Sequence, residues 1–218
     1  MYYIPGCDVV RNHPEASAKA RSYFRNKSIP EGPCCRKDLG QLKAGDTIVV
    51  NCTQCSLIFE ERLPEVRILT LYEYLLNESD FRWPDYHHRV MTLQDCWRMR
   101  SHPDVTEAIR KCIANMNIEI HELEKNRENA DFCGVWLNNP APADCIEAAP
   151  LLFADLQKYR HILSAEEQKE KMADYVRQLP SQETIVYCNG CEKGLRLGGG
   201  KPVHMIELLF CDNQTVCL

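Results

Sequence analysis

The sequence predicts an α/β fold made of two similar Rossmann-like halves with largely parallel sheets. Short runs of β-branched residues alternate along the chain with segments of helical periodicity, which is typical of parallel α/β sheets. In addition, motifs from the first part of the chain return in the same order further on, which indicates an internal repeat.

The clearest repeated motif joins a cysteine to the start of a helix. Beginning at Cys7 and at Cys96, both copies read Cys, three residues, Arg, a polar residue, His, Pro and an acid. The polar residues, Asn12 and Ser101, are types that cap helix N-termini, and proline suits the first helical turn. We therefore predict a helix after each motif. The second predicted helix carries an apolar stripe at spacings of three and four: Val105, Ile109, Cys112, Ile113 and Met116.

Each half also contains a predicted buried strand that ends at a Cys-x-x-Cys motif. Residues 46–50 lead into the first motif and residues 183–187 lead into the second, and both runs are rich in β-branched side chains. The other predicted elements are an opening strand in each half, at 2–4 and 89–93, and a closing helix in each half, at 70–76 and 204–210.

The repeat divides the chain into two predicted cysteine-rich domains, residues 1–82 and residues 83–218. A linker is expected at residues 77–88, and a loop inserted in the second half is expected near residues 138–150, where Asn and Pro are frequent. In parallel α/β sheets, ligands gather at the carboxyl ends of the strands. The repeated cysteines fall at these predicted ends.

Thirteen cysteines in 218 residues are unusual. The odd number, the chain length and the lack of a recognisable export signal argue against a secreted disulfide framework, so we expect a cytoplasmic protein whose thiols bind metal. The net charge of −5 argues against nucleic acid as a partner, and no apolar stretch is long enough for a membrane span.

The candidate ligands form one set in each half. The first set has five thiols, Cys7, Cys34, Cys35, Cys52 and Cys55, and the second has four, Cys96, Cys133, Cys188 and Cys191. Thiolates select iron–sulfur clusters, zinc or Cu(I). Five thiolates exceed the four of tetrahedral zinc, which favours a cluster at the first site, whereas four fit either a cubane cluster or zinc.

The remaining cysteines and the repeated histidines are assigned to structure. Cys112 is predicted to be a core residue of its helix. His13 and His102 are predicted to cap helices rather than to bind metal. The cysteines without a counterpart in the other half are predicted to be structural or incidental: Cys145, Cys211 and Cys217.

The cysteine pattern resembles the tandem cysteine-rich CCG domain of the heterodisulfide reductase B subunit and of related oxidoreductase subunits. The matching motifs are Pro5-Gly6-Cys7, Cys34-Cys35 and Cys52-x-x-Cys55, repeated as Cys96, Phe132-Cys133-Gly134 and Cys188-x-x-Cys191. The resemblance implies that the five cysteines of the first half hold a non-cubane [4Fe-4S] cluster. Three differences stand out: Arg36 follows the cysteine pair, the gap from Cys35 to Cys52 is much shorter than in the family, and Phe132 stands where the second half would have its fifth cysteine.

The expected function is that of a cytoplasmic iron–sulfur redox protein. It would reduce disulfides, oxidise thiols or transfer electrons, and as an oxidoreductase subunit it would need a donor or acceptor protein, because the chain lacks a ferredoxin-type cysteine run. One alternative is a zinc- or metal-binding module without enzymatic activity. A weaker one is thioredoxin-like exchange by Cys-x-x-Cys alone.

Overall fold

The computed structural model describes residues 1–181 and 183–211. Cys217 lies outside these ranges. The first half contains three strands and four helices: β1 (Tyr2–Ile4), α1 (Cys7–Asn12), α2 (Pro14–Asn26), β2 (Thr47–Val50), α3 (Thr53–Arg62), β3 (Arg67–Thr70) and α4 (Leu71–Leu76).

The second half repeats this order with additions. Its strands are β4 (Arg89–Leu93), β5 (Ile118–Glu122), β6 (Glu183–Val186) and β7 (Lys201–His204). Its helices are α5 (Pro103–Asn115), α6 (Ala143–Ala148), α7 (Pro150–Leu156), α8 (Ala165–Arg177), α9 (Asn189–Leu197) and α10 (Met205–Leu209). Four short 3₁₀ turns, at residues 97–99, 127–129, 134–138 and 157–159, lie between them.

The strands form two fully parallel sheets with matching topology. The first sheet has the order β1-β2-β3 and the second has the order β5-β4-β6-β7. Strands β4, β6 and β7 therefore repeat the arrangement of β1, β2 and β3, while β5 is an additional edge strand of the second sheet. The predicted α/β class with two similar, parallel-stranded halves is confirmed.

The two sheets share much of their hydrophobic core. One cluster of buried side chains includes Tyr3 and Val49 from the first sheet together with Met91 and Ile185 from the second. The apolar stripe of α5, including Cys112, is buried in this cluster as predicted. Tight packing across the halves fixes the first-half cysteines relative to the second-half cysteines.

The N-cap of each repeated helix lies one residue later than predicted. Pro14 and Pro103 are the first helical residues, as expected, but the N-cap residues are His13 and His102 rather than Asn12 and Ser101. Neither histidine side chain makes a capping hydrogen bond. The prediction of side-chain capping is wrong because both imidazoles bind carboxylates instead.

His13 is buried between the halves and bridges two acidic side chains. Its ring nitrogens lie 2.9 Å from Glu192 and 2.9 Å from Glu207, and its ring packs on that of His204 with the centroids 4.5 Å apart. Burial alone would lower the pKa of His13, but the two carboxylates raise it to about 9. His102 lies 3.1 Å from Glu60 in a similar but more exposed contact.

The predicted loop near residues 138–150 is wrong in part. It contains α6 and leads into α7, and both helices pack against α3 of the first half. The Glu61 carboxylate accepts hydrogen bonds from the Leu151 and Leu152 backbone amides at 3.0 and 2.6 Å. These bonds satisfy amides at the start of α7 that have no partner within the helix. The insertion is therefore anchored to the first half.

Within the two described ranges, no helix is both long and apolar enough to cross a bilayer.

Candidate metal centre

Four buried cysteines of the second half converge at the carboxyl end of its sheet. Cys96 follows β4, Cys133 precedes a 3₁₀ turn, and Cys188 and Cys191 lie at the start of α9. Their Sγ atoms all lie within 4.8 Å of one another. We call these four residues the second-half sulfur group. It can bind a metal ion or an iron–sulfur cluster.

A glycine makes this convergence possible. Gly134 has a φ of +49°, and a Cβ added there would lie 2.1 Å from the Gly190 carbonyl oxygen. Because that distance is far inside van der Waals contact, only glycine allows Cys133 to approach the turn between Cys188 and Cys191. The sequence Cys133-Gly134 thus has a direct geometric role.

One sulfur of the group carries most of the anionic character. Hydrogen bonds from Cys133, Cys191 and Cys96, with a further contribution from Arg98, hold the pKa of Cys188 well below its usual range. Burial raises the pKa of Cys133 and of Cys191 well above the usual range. Cys188 is therefore the sulfur of this group that ionises most readily, and metal binding must release the protons that burial favours on Cys133 and Cys191.

Arg98 connects this thiolate to the first half. Its Nη2 donates to Cys188 Sγ at 2.9 Å, and its Nη1 donates to Gln54 Oε1 at 3.0 Å. Gln54 lies within the first Cys-x-x-Cys motif, and its Oε1 also accepts from Trp136 Nε1 at 3.1 Å. The guanidinium carbon of Arg98 lies 4.7 Å from the Trp136 ring centroid. Arg98 and Gln54 were not among the residues predicted from the sequence.

The sulfur spacing resembles that of one tetrahedral ion. Cys133 Sγ lies 3.5 Å from Cys96 Sγ and 3.9 Å from Cys188 Sγ. Zinc–sulfur bonds of about 2.3 Å in a tetrahedron place the sulfurs about 3.8 Å apart. In a four-iron cluster each sulfur binds a different iron. Such a cluster would need the four thiols to move apart.

The five first-half cysteines are less compact. Cys35 Sγ and Cys55 Sγ lie 3.3 Å apart and both residues are buried, whereas Cys7 is exposed and Cys34 and Cys52 are half-buried. Among residues 1–181 and 183–211, the second-half sulfur group alone brings three or more ligand atoms within the 4.8 Å limit.

The hydrogen bonds of Cys55 shift the pKa values of the first-half cysteines in opposite directions. Hydrogen bonding with Cys55 lowers the pKa of Cys52 to about 7 and also lowers the pKa of Cys35. The pKa of Cys55 itself is raised well above its usual range by those same bonds. Arg36 Nη2 donates to Cys7 Sγ at 3.1 Å and its guanidinium pairs with Asp144 at 2.5 Å. The first half thus contains two thiols of lowered pKa, Cys35 and Cys52, and a third, Cys7, that accepts a hydrogen bond from Arg36.

A cavity of about 320 Å³ separates the two sets of cysteines. Cysteines of both halves line it: Cys7, Cys35, Cys52, Cys55, Cys145 and Cys188. Arg36, Gln54, Arg98 and Trp136 also contribute to its wall. Four of the five first-half cysteines and Cys188 of the second-half sulfur group therefore face a common space.

Phe132 and Cys145 make well-defined contacts near the two sets of cysteines. The ring of Phe132 stacks on that of Tyr175 with the centroids 4.1 Å apart. Toward the second-half sulfur group, Phe132 contributes only its backbone carbonyl oxygen, which lies 3.8 Å from Cys191 Sγ. Cys145, which was predicted to be structural or incidental, is buried, and its sulfur accepts a hydrogen bond from Gln54 Nε2 at 2.9 Å. Cys145 lies in an insertion that has no counterpart in the first half, so no sequence pattern indicated its contact with Gln54.

Comparison with protein-family models, with curated proteins and with solved structures gave no match for this chain.

Proposed function

We propose that this chain is an iron–sulfur redox protein that acts on a thiol or disulfide bound between its two halves. The observation that carries the proposal is the cavity of about 320 Å³, onto which cysteines of both halves open. A metal site that serves only structure is usually closed by its own ligands. A space of this size beside two thiol sets leaves room for a small sulfur compound.

The side chains around the cavity suit sulfur redox chemistry. Hydrogen bonds to cluster sulfurs are a principal means of adjusting the reduction potential, and Arg98 donates one to Cys188. Reduction of a disulfide consumes two electrons and two protons and yields two thiols. The electrons would come from a partner protein, since the chain has no ferredoxin-type cysteine run.

The resemblance to the CCG domain supports the same proposal. In that family, a complete set of five cysteines holds a non-cubane [4Fe-4S] cluster, and Cys7, Cys34, Cys35, Cys52 and Cys55 are the corresponding residues here. We propose them as the ligands of the first site. The second-half sulfur group would hold a cubane cluster or another metal centre.

A second candidate function is a zinc-binding module without redox activity. The observation that favours it is the sulfur spacing, because 3.5 and 3.9 Å between Sγ atoms suit one tetrahedral ion without rearrangement. In this case, the metal would join β4, the loop before residue 134 and α9, and it would stabilise the second half by binding only the folded chain.

Anaerobic purification followed by counting iron, acid-labile sulfide and zinc per chain separates the two functions. The redox proposal expects iron and sulfide in equal amounts, with about four irons in a filled site. Cys34→Ser should remove the first-site share, and Cys191→Ser should remove the second-site share. Cys112→Ser, at a buried cysteine on α5 that belongs to neither set, is the matched control.

Stoichiometric zinc without sulfide would refute the redox proposal and support the second function. Iron that survives both Cys34→Ser and Cys191→Ser would show that the metal binds elsewhere.

A further inference from the structure

Cys145 belongs to the second half by sequence but lies beside the first-half cysteines. It sits in the first turn of α6 in the insertion, and its side chain is only 1% exposed. It shares a buried cluster with Cys35 and Cys55. It also lines the cavity onto which Cys7 and Cys52 open.

The polar surroundings of Cys145 differ from those of a core cysteine. Gln54, which lies between Cys52 and Cys55 in the sequence, donates its Nε2–H to Cys145 Sγ at 2.9 Å. Arg36, next to Cys35, donates to Cys7 Sγ at 3.1 Å, and its charge opposes the burial that raises the pKa of Cys145 to about 11. One hydrogen-bond donor and one cation from the first-half motifs therefore act on one sulfur of the second half.

Cys112 shows what a structural cysteine looks like in this fold. Its side chain is fully buried in α5, and its one hydrogen bond is to the Tyr72 carbonyl oxygen at 3.6 Å. Burial is the single cause of its raised pKa. Within the described part of the chain, no cation or amide donor bonds to Cys112, in contrast to Cys145.

The insertion is fixed against the first half, which holds Cys145 in place. Asp144, the neighbouring residue, forms an ion pair with Arg36 at 2.5 Å. Helices α6 and α7 both pack on α3, whose Glu61 caps α7. Anchoring on both sides of Cys145 leaves its sulfur little freedom to move away, which is how supporting contacts orient a metal ligand.

We propose that Cys145 is a ligand of the first metal site, supplied across the boundary by the second half. The inference rests on the proposed function, because it assumes that the first-half cysteines bind metal. It adds a sixth thiol to that site and makes the site complete only when both halves are folded together. The ligand class is a thiophilic cation, either a single divalent ion or an iron of a cluster.

Cobalt(II) alone is a suitable probe, because thiolate-to-cobalt charge transfer reports how many thiolates bind each ion. The experiment uses the full chain carrying Cys188→Ser and Cys191→Ser, which disable the second-half sulfur group. Cys145→Ser is added to this background, and Cys112→Ser is added separately as the control. Far-UV circular dichroism checks that each variant is folded.

We expect Cys145→Ser to weaken cobalt binding by about tenfold or more, since loss of even a supporting partner costs about 10–100-fold in metal affinity. The charge-transfer absorbance per bound cobalt should fall by about a quarter if four thiolates bind the ion. Cys112→Ser should leave both quantities unchanged. Cys145→Ala provides the same test if the serine variant does not fold, because alanine favours the helix.

Unchanged affinity and spectrum in Cys145→Ser would overturn the inference and leave the proposed function standing. A background protein that binds no cobalt would instead refute metal binding by the first half, and the inference with it. In the Cys188→Ser and Cys191→Ser background, bound cobalt should also slow alkylation of Cys145, measured by peptide mass spectrometry. An unchanged alkylation rate in that cobalt-loaded protein would overturn the inference without any change at Cys145.

Discussion

Replacing Arg98 with methionine should weaken metal binding by the second-half sulfur group. Methionine keeps much of the apolar volume but removes the guanidinium that donates to Cys188 Sγ at 2.9 Å. A four-thiolate site with a divalent ion carries a net negative charge, so a buried cation beside it is favourable even when metal is bound. The loss should therefore appear directly in metal affinity.

The size of the effect follows from the hydrogen bond rather than from the full Coulomb energy. Two charges about 4 Å apart interact by about 4 kcal/mol at an effective dielectric constant of 20. However, the desolvation of buried Arg98 offsets part of that energy. A hydrogen bond to a charged group contributes about 1.5–3 kcal/mol, or roughly one to two pKa units on Cys188. We expect a loss of about 10–100-fold in affinity.

Competition between the protein and a chromophoric zinc chelator at pH 7 measures this loss. Arg160→Met is the matched control, because the Arg160 guanidinium lies 3.8 Å from the same Trp136 ring but donates to no cysteine of the group. Arg98 helps to hold the pKa of Cys188 down, so its removal raises that pKa. The deficit should be largest at low pH and should shrink as the pH rises. Equal affinities for the Arg98→Met and Arg160→Met variants would refute the reasoning.

Two further predictions concern stability and the shape of the site. The pKa of His13 is raised to about 9 from an unfolded value of about 6.5. Protonated His13 therefore stabilises the fold fully below pH 6.5, and this contribution is lost as the pH rises through 9. His13→Gln should remove up to about 3 kcal/mol of this pH-dependent free energy of unfolding; an unchanged urea-unfolding profile from pH 6 to 10 would contradict the ion-pair role. Gly134→Ala should abolish metal binding by the second-half sulfur group, because its Cβ would lie 2.1 Å from the Gly190 oxygen. Gly45→Ala, also at positive φ but with open space around it, should cost only about 1–2 kcal/mol and keep the metal; equal metal content in the two alanine variants would count against the steric explanation.

The sequence indicated strands where β-branched residues are concentrated and missed strands where they are not. The β2 and β6 runs were predicted within one residue, whereas β3, β5 and β7 were not predicted. Strand β7 contains Pro202, which is tolerated because β7 lies at the edge of its sheet. The helix α8 was also missed, although Ser164 and Glu167 form a capping box that marks its start.

Spacing indicated the four thiols that form the second-half sulfur group, but it could not indicate their surroundings. Gln54 and Arg98 are 44 residues apart, and their hydrogen bond exists only because the halves pack together. The same holds for Cys145 and Gln54, which are 91 residues apart. Local patterns carry information about ligands on one element, while contacts between elements depend on tertiary packing.

The β1 edge of the first sheet and the β5 edge of the second sheet are protected against self-association in different ways. In the first sheet, β1 bonds outward only through the Pro30 carbonyl and the Gly32 amide, at 2.9 and 2.8 Å. Pro30 and Pro33 have no N–H groups, so this short segment cannot serve as a template for another strand. In the second sheet, the outer strand β5 presents exposed Glu119 and His121. Strand addition is therefore blocked by imino acids at the β1 edge and opposed by polar and charged side chains at the β5 edge, which disfavours aggregation through these two edges.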